Sequence, residues 1–365
     1  MTPRLARDLH PVAWWVWAVG LATAATLTTN PLLLVLIVGV AATVVIARRS
    51  DHPWARSFRL YLLLGVAIVV IRVLFRIVFG GDSHGRVLLV LPTVPLPDWV
   101  AGIRLLGPVT QEALLAGLYD GLRLAAIVIC IGAANSLANP KRLLKSMPPA
   151  LYEIGTALVV AVTVFPQLAD SARRVRAAQA LRGDASRRIG RLRRFLVPVL
   201  EDALERSLAL AAGMDARGYG RAGSATLAQR WTTGILLLTA LCGLCVGIYA
   251  FLDHSAPRLL AGPMLGLGTL VAVVGLVSAG RRVERSRYRP DRWRTAEVVV
   301  AASGIVVGAL VWRLAGSEPF VVHPSVSAMP YLSVLALGGA LVGALPAVVA
   351  PPPRQPLTPP LEVGA

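Results

Sequence analysis

The sequence predicts an all-α polytopic membrane protein with about eight transmembrane helices and two long cytoplasmic helices inserted after the fourth. Three observations lead to this class. Hydrophobic residues make up 56% of the 365 positions, with a mean hydropathy of +0.66. They gather into nearly uncharged runs close to the ~20 residues that cross a bilayer as a helix. The formal net charge of +18 sits mostly in a few segments between those runs, as the positive-inside rule and an anionic inner leaflet require. Between about Asp170 and Arg230 lies a basic block with thirteen Arg and six acids, flanked on both sides by apolar sequence. Nucleic-acid binding is disfavoured, because aromatic residues are not interleaved with the basic clusters and no nucleic-acid-binding motif occurs.

The expected helices follow from the apolar runs and their breakers. Helix 1 covers Val12 to Leu27 and helix 2 Leu32 to Ala47, joined at Thr28-Thr29-Asn30-Pro31, where Asn-Pro marks a boundary. Helix 3 runs from Phe58 to Phe79. A Gly- and Pro-rich loop, Gly80 to Pro97, precedes an interfacial stretch from Trp99 to Pro108. Helix 4 spans Ala113 to Ala134 and stops near Asn139-Pro140. Beyond the basic block come helix 5 (Trp231 to Leu252), helix 6 (Leu259 to Ala279), helix 7 (Ala296 to Trp312) and helix 8 (Met329 to Val349). The tail from Pro351 is Pro-rich and expected to be disordered. As domains these are 1–135, an N-terminal membrane domain; 136–230, the cytoplasmic helices; 231–350, a C-terminal membrane region; and 351–365, the tail.

Orientation follows from the cations. With the N-terminus inside, Arg48 and Arg49, Lys141 to Lys145, the central block and Arg281 to Arg294 (seven Arg against two acids) all face the cytoplasm. Both termini are then cytoplasmic. The segment Leu151 to Leu168 is apolar enough to span, yet cations flank it on both sides. Pro149 to Leu181 is therefore read as one long helix, its first half against the membrane domain and its second half basic and exposed. A re-entrant or spanning segment is the alternative. No cleavable signal pattern is expected at the N-terminus.

The basic block carries two similar helix ends, Ala180-Leu181-Arg182-Gly183 and Asp215-Ala216-Arg217-Gly218. The second helix, about Arg191 to Ala216, has Leu192, Phe195, Leu196, Val199, Leu200, Ala203 and Leu204 at 3.6-residue spacing, with Arg194, Glu201, Asp202 and Glu205 opposite. Pro198 should kink it or mark its first turn. Glycine suits the left-handed position just past a helix C-terminus. An arginine beside it is favoured by the helix dipole and presents a planar fork to a carboxylate pair. One such end is an ordinary cap. Two, 35 residues apart in one block, suggest a pair of plugs for a two-lobed partner.

At this point the sequence resembles the transmembrane (T) component of energy-coupling factor transporters, the EcfT/CbiQ family. The resemblance rests on His10-Pro11, Asn30-Pro31, Arg123 in helix 4, Phe165-Pro166, Ala177 to Gly183 and Ala211 to Arg221, and it covers roughly residues 8 to 250. The family's paired Ala-Arg-Gly motif is complete at Ala216-Arg217-Gly218, whereas Leu181 stands where Ala is usual in the first copy. The resemblance implies that two cytoplasmic ABC ATPases dock on the two coupling helices through Ala180, Leu181, Arg182, Gly183, Ala216, Arg217 and Gly218. It further implies a small membrane S component that captures a vitamin or transition-metal ion. Helices 6 to 8 and the tail lie outside the family pattern.

No residues point to catalysis, a cofactor or a bound metal. The chain has no P-loop for ATP, and its five histidines are scattered. Cys242-x-x-Cys245 has no second pair to complete a redox or metal site, so it and Cys130 are expected as small apolar membrane residues. Asp120 and Arg123 are placed to pair across a turn of helix 4, with a structural ion pair between packed helices as the expected role, and Arg72 and Arg76 are expected to reach head groups. The alternatives are a membrane-embedded lipid or prenyl transferase, which lacks the expected Asp-x-x-x-Asp motifs, and a stand-alone secondary transporter, which lacks the expected internal repeat.

Overall fold

A computed structural model describes residues 7–50, 57–79, 85–92, 106–146, 151–181, 188–218, 226–253, 258–281 and 291–353. The chain divides into two compact units, one of residues 1–143 with 291–365 and one of residues 144–290. The first holds α1 (Pro11–Thr26), α2 (Pro31–Arg48), α3 (Phe58–Val78), β1 (Val87–Val90), β2 (Pro108–Thr110) and α4 (Gln111–Leu137). It also holds the start of α5 (Pro140–Lys145), and then α10 (Thr295–Ser317), α11 (Pro319–Val322), α12 (Val334–Val342) and α13 (Pro346–Val349). The second holds α6 (Tyr152–Leu181), α7 (Arg188–Asp215), α8 (Leu227–Leu252) and α9 (Arg258–Arg281).

Two helix starts use one local device. His10 and Asn30 each precede a proline, whose missing N–H costs nothing in the first turn. Each side chain accepts a hydrogen bond from the backbone two residues on, His10 Nδ1 from Val12 at 3.3 Å and Asn30 Oδ1 from Leu32 at 3.0 Å. Asn30 is fully buried, and its Nδ2 donates to the carbonyls of Val321 and Tyr331 at 2.7 and 2.9 Å. The α1–α2 turn thereby ties down the chain between α10 and α12.

The first unit centres on α1. Trp17 and Leu21 are fully buried in a core shared with Leu33, Leu34 and Ile37 of α2 and with Val307, Val311 and Leu314 of α10. α1 and α10 cross at backbone contact. A Cβ on Gly304 would fall 2.4 Å from Trp17 Cα, and one on Gly20 would fall 2.2 Å from the Gly304 carbonyl oxygen. Small residues allow this approach, which is how helices gain dispersion energy where lipid gives no hydrophobic drive.

Among the described residues, seven helices are long and apolar enough to cross a membrane: α2, α3, α4, α6 from Ile154, α8, α9 from Ala261, and α10. The chain is an all-α polytopic membrane protein, with one small β-pair. Six of the eight expected spans reach that length. α1 has 16 residues and is shorter, while α6 joins the set. Helix 8 is corrected at its start and in its length: the helical run is Val334 to Val349, with α12 and α13 joined by three-residue turns, and it is shorter than a span. Pro346 cannot donate into a continuing helix, and Gly343 just before it turns its carbonyl to Trp17 Nε1 at 2.9 Å.

Three further expectations change. Within the loop expected from Gly80 to Pro97, Val87–Val90 pairs antiparallel with Pro108–Thr110; most of the interfacial stretch from Trp99 lies outside the described residues. Asp120 pairs with Arg76 at 3.4 Å rather than with Arg123. α3 and α4 approach at Gly117, where an added Cβ would meet Arg76 Cγ at 2.8 Å, and that brings the α3 cation across. Arg123 donates instead to the Thr26 carbonyl at the end of α1. The tail also begins in order: Pro352 accepts from the Arg7 backbone at 3.1 Å, while residues 354–365 lie outside the described set.

The basic ends of the first unit meet. Arg7 donates to the buried Glu297 at 2.5 Å. Arg142 bonds the Asp8 carbonyl at 3.2 Å and also pairs with Asp291. Arg48 donates to the Ala347 carbonyl at 2.6 Å. The starts of α1 and α10 and the ends of α2 and α4 therefore share one end of the bundle.

Replacing Gly304 with Val should lower the thermal stability of the detergent-solubilised protein by about 1–3 kcal/mol or more, because backbone rather than a flexible side chain stands in the way. Gly39→Ala, where nothing lies within 4 Å, should leave it unchanged or slightly raised.

Candidate functional site

The second unit holds both Arg-Gly helix ends. α6 runs without a break over thirty residues from Tyr152 to Leu181 despite Pro166, as the reading of one long helix expects. α7 runs from Arg188 to Asp215, with Pro198 in its interior rather than at its first turn. α8 and α9 pack on each other through glycines. A Cβ on Gly268 would lie 2.9 Å from Leu244 N, and one on Gly247 2.8 Å from Leu265 N.

The end of α7 has the geometry that its sequence calls for. Ala216 N still reaches back to the Ala212 carbonyl at 3.0 Å, in helical register. Arg217 and Gly218 then tighten to three-residue turns, bonding Met214 O at 3.1 Å and Asp215 O at 2.8 Å. Gly218 has φ of +75°, the left-handed region where a Cβ would clash with backbone. The turn carries Arg217 past the helix end, with both Ala216 and Arg217 exposed.

At the other end, Ala180 and Leu181 close α6, and Leu181 is 90% exposed. Arg182 and Gly183 lie outside the described residues, so only one of the two arginine tips has a described geometry. Both tips follow helices that are open on most of their surface.

The apolar face expected on α7 divides into two. Phe195, Val199 and Ala203 are half-buried on the side that meets α6, whereas Leu200, Leu204 and Leu208 form an exposed stripe, each more than 60% exposed. Arg176 of α6 lies over the Phe195 ring at 5.4 Å, a cation–π contact. Asp202, expected only as part of a solvated polar face, sits between the helices. It pairs with Arg206 one turn along α7 at 3.0 Å and with Arg174 of α6 at 3.5 Å. The buried Ser171 hydroxyl of α6 is the leading influence that holds this carboxyl below its ordinary value of 3.8, with Arg206 and Arg174 adding to it and desolvation opposing. The spacing of Asp202 and Arg206 is legible as a helical pair; the partners on α6 are not, because nothing local relates residues 28 to 31 apart.

Among the described residues, no three His, Cys, Asp or Glu side chains gather as a metal site. Among its described residues the second unit presents a basic helix pair, one end of which exposes Arg217, and a stripe of exposed leucines on α7.

A family model described as CbiQ, cobalt transport protein, matches residues 3–227. The chain belongs to the CbiQ family. The match covers well over half of the chain and ends where α8 begins, so it includes α1 to α7 and both Arg-Gly ends. The helices from α8 onward lie beyond it, as the sequence resemblance anticipates for the last ones. No curated protein matches the chain. Membership in this family, together with the apolar helices, makes the chain a multi-pass membrane protein of a transport family.

Two outcomes test this geometry. Gly218→Val should cost about 1–2 kcal/mol locally, read as faster amide hydrogen exchange at Arg217 and Gly218. Because the Asp202 carboxyl is depressed in the folded state, its contribution is complete above pH 3.8 and disappears as pH falls through the lower folded value. Hydrogen exchange along α6 and α7 should therefore be unchanged from neutral pH down to that range and rise below it.

Proposed function

We propose that this CbiQ-family chain is the energy-coupling transmembrane subunit of an ECF-type ABC importer in the plasma (inner) membrane. In this reading two cytoplasmic ABC ATPases bind the ends of α6 and α7, with Arg182 and Arg217 each entering an acidic groove on one ATPase. Ala180, Leu181 and Gly183 shape the first end, as Ala216 and Gly218 shape the second. A small membrane S component captures a vitamin or transition-metal ion, and the exposed Leu200, Leu204 and Leu208 stripe offers it an apolar surface. ATP-driven closure of the ATPase pair moves the two helices and reorients the S component. This chain hydrolyses nothing itself.

The observation that carries the proposal is the α7 end. Left-handed Gly218 turns the chain away and leaves Arg217 exposed past the helix terminus, within the part of the chain that the family model covers. An arginine held there has its five donors available to a carboxylate receptacle.

Charge supports placing this end inside the cell, since the block that holds it is basic. Residues 142 and 291 meet at one end of the first unit. That side carries Arg7, Arg48 and Arg142, and the positive-inside rule makes it cytoplasmic, with both termini there and the anionic inner leaflet beside it.

The deciding experiment is mild-detergent affinity purification of the tagged chain from its native membrane, beside the Arg182→Ala/Arg217→Ala variant. Wild type should bring down two P-loop ATPases and a small hydrophobic protein, and the variant should lose the ATPases while inserting normally. Truncating a charge-assisted arginine contact buried in an interface costs on the order of 2–5 kcal/mol, enough to empty a pull-down. A chain that purifies alone in both cases would sink the proposal.

A further inference from the structure

Two buried indoles of α1 lie against each other and differ in their bonding. Trp17 Nε1 donates to the Gly343 carbonyl at 2.9 Å, as a buried N–H ordinarily does. Trp14, edge-on to it with 6.0 Å between ring centroids, is 5% exposed, and its N–H has no acceptor among the described residues. Unlike Trp15 Nε1, which is sealed in the packing without a partner, Trp14 lines a cavity. That cavity, of about 30 Å³, lies at the end of the first unit where the cations meet, and Arg7, Arg48, Ser50 and Arg142 share its wall.

Every polar side chain in the wall can donate except Asp8, whose carboxyl stands 3.8 Å from Arg142. Asn139 spends its Oδ1 on the backbone N–H groups of Lys141 and Arg142, which leaves its Nδ2 hydrogens unused. The Ser50 hydroxyl and the Nε and Nη1 of Arg7 make no hydrogen bond among the described residues. The arginines are nevertheless fixed. Glu297 holds Arg7, the Ala347 carbonyl holds Arg48 at 2.6 Å, and the Asp8 carbonyl holds Arg142 at 3.2 Å beside Asp291. Side chains already anchored lose little rotamer freedom when a ligand arrives. A buried donor without an acceptor is unfavourable, and guanidinium groups around one space favour an oxyanion, whose bonds to them are charge-assisted. Leu9 and Leu137 complete the wall and lower the dielectric in which those bonds act.

We propose that this cavity binds one phosphate-type oxyanion, supplied by the head group of an anionic phospholipid or by free inorganic phosphate. Its volume takes about two or three waters, or one tetrahedral oxyanion in their place. Helix ends of this unit stand at the membrane boundary, where head-group phosphates are abundant and basic pockets between helices receive them. The bound anion would join the segments before α1, after α2 and at the start of α5, which are distant in sequence. The site lies wholly in the first unit and uses neither Arg-Gly end, so it stands whether or not ATPases dock.

The test uses the full chain in lipid nanodiscs and phosphate-free buffer. Native mass spectrometry counts what each chain retains from discs of phosphatidylcholine alone, from discs that also hold phosphatidylglycerol, and from phosphatidylcholine discs with inorganic phosphate added. Wild type should retain one phosphatidylglycerol in the second case, which assigns the lipid, or one phosphate in the third, which assigns the free anion. Trp14→Phe keeps an aromatic ring and removes the donor. Its affinity for the retained ligand, titrated through the melting temperature, should fall about tenfold, with melting in phosphatidylcholine alone unchanged. Ser50→Ala carries the same test should Trp14→Phe not fold. Equal affinity in wild type and the variants would overturn the site, and so would retention of neither ligand by the wild type.

Discussion

An ionised side chain is costly in hydrocarbon unless it finds a partner or reaches the interface, and this chain carries thirty-seven Lys and Arg against nineteen acids. Much of its architecture follows from where those charges can go. Arg7, Arg48 and Arg142 gather at one end of the first unit, where Glu297, Asp291 and backbone carbonyls receive them. Within the apolar helices, Arg76 turns to Asp120 and Arg123 to the free carbonyl of Thr26 at the end of α1. Each of these also joins elements distant in sequence, so the need to satisfy charge doubles as a device for packing.

The first unit and the second use different means of association. In the first, glycine lets α1 and α10 touch at the backbone, and indole and amide side chains then bond the carbonyls that broken helices leave over, as Trp17 does for Gly343 and Asn30 for Val321. This interlock recruits helices that the family match does not include, and it makes them integral to the core around α1. In the second unit, α6 and α7 remain largely bare and meet along a short seam. Elsewhere in that unit α8 and α9 close on each other through Gly247 and Gly268, so the sparse packing is particular to α6 and α7.

The arrangement of α7 relates these ideas to function. One face meets α6, a second presents leucines, and the C-terminus ends in a glycine turn that projects Arg217. Two faces and a tip that are separate in space leave each free to make its own contact without disturbing the others.

The sequence by itself determined the membrane class, the limits of most helices and the second Arg-Gly end, all through local rules: run length, breakers and the left-handed preference of glycine. Gly218 and Asn30-Pro31 were legible for that reason. Tertiary structure decided what depends on approach between distant segments. Asp120 chose Arg76 over Arg123 because Gly117 lets α3 come close. The last apolar run tightens into three-residue turns at Gly343, whose carbonyl Trp17 takes up, before α13 opens at Pro346. Asp202 reads in sequence as one acid of a solvated face; only the approach of α6 brings Arg174 to it, since an ion pair between helices is set by their packing and leaves no periodic trace along the chain.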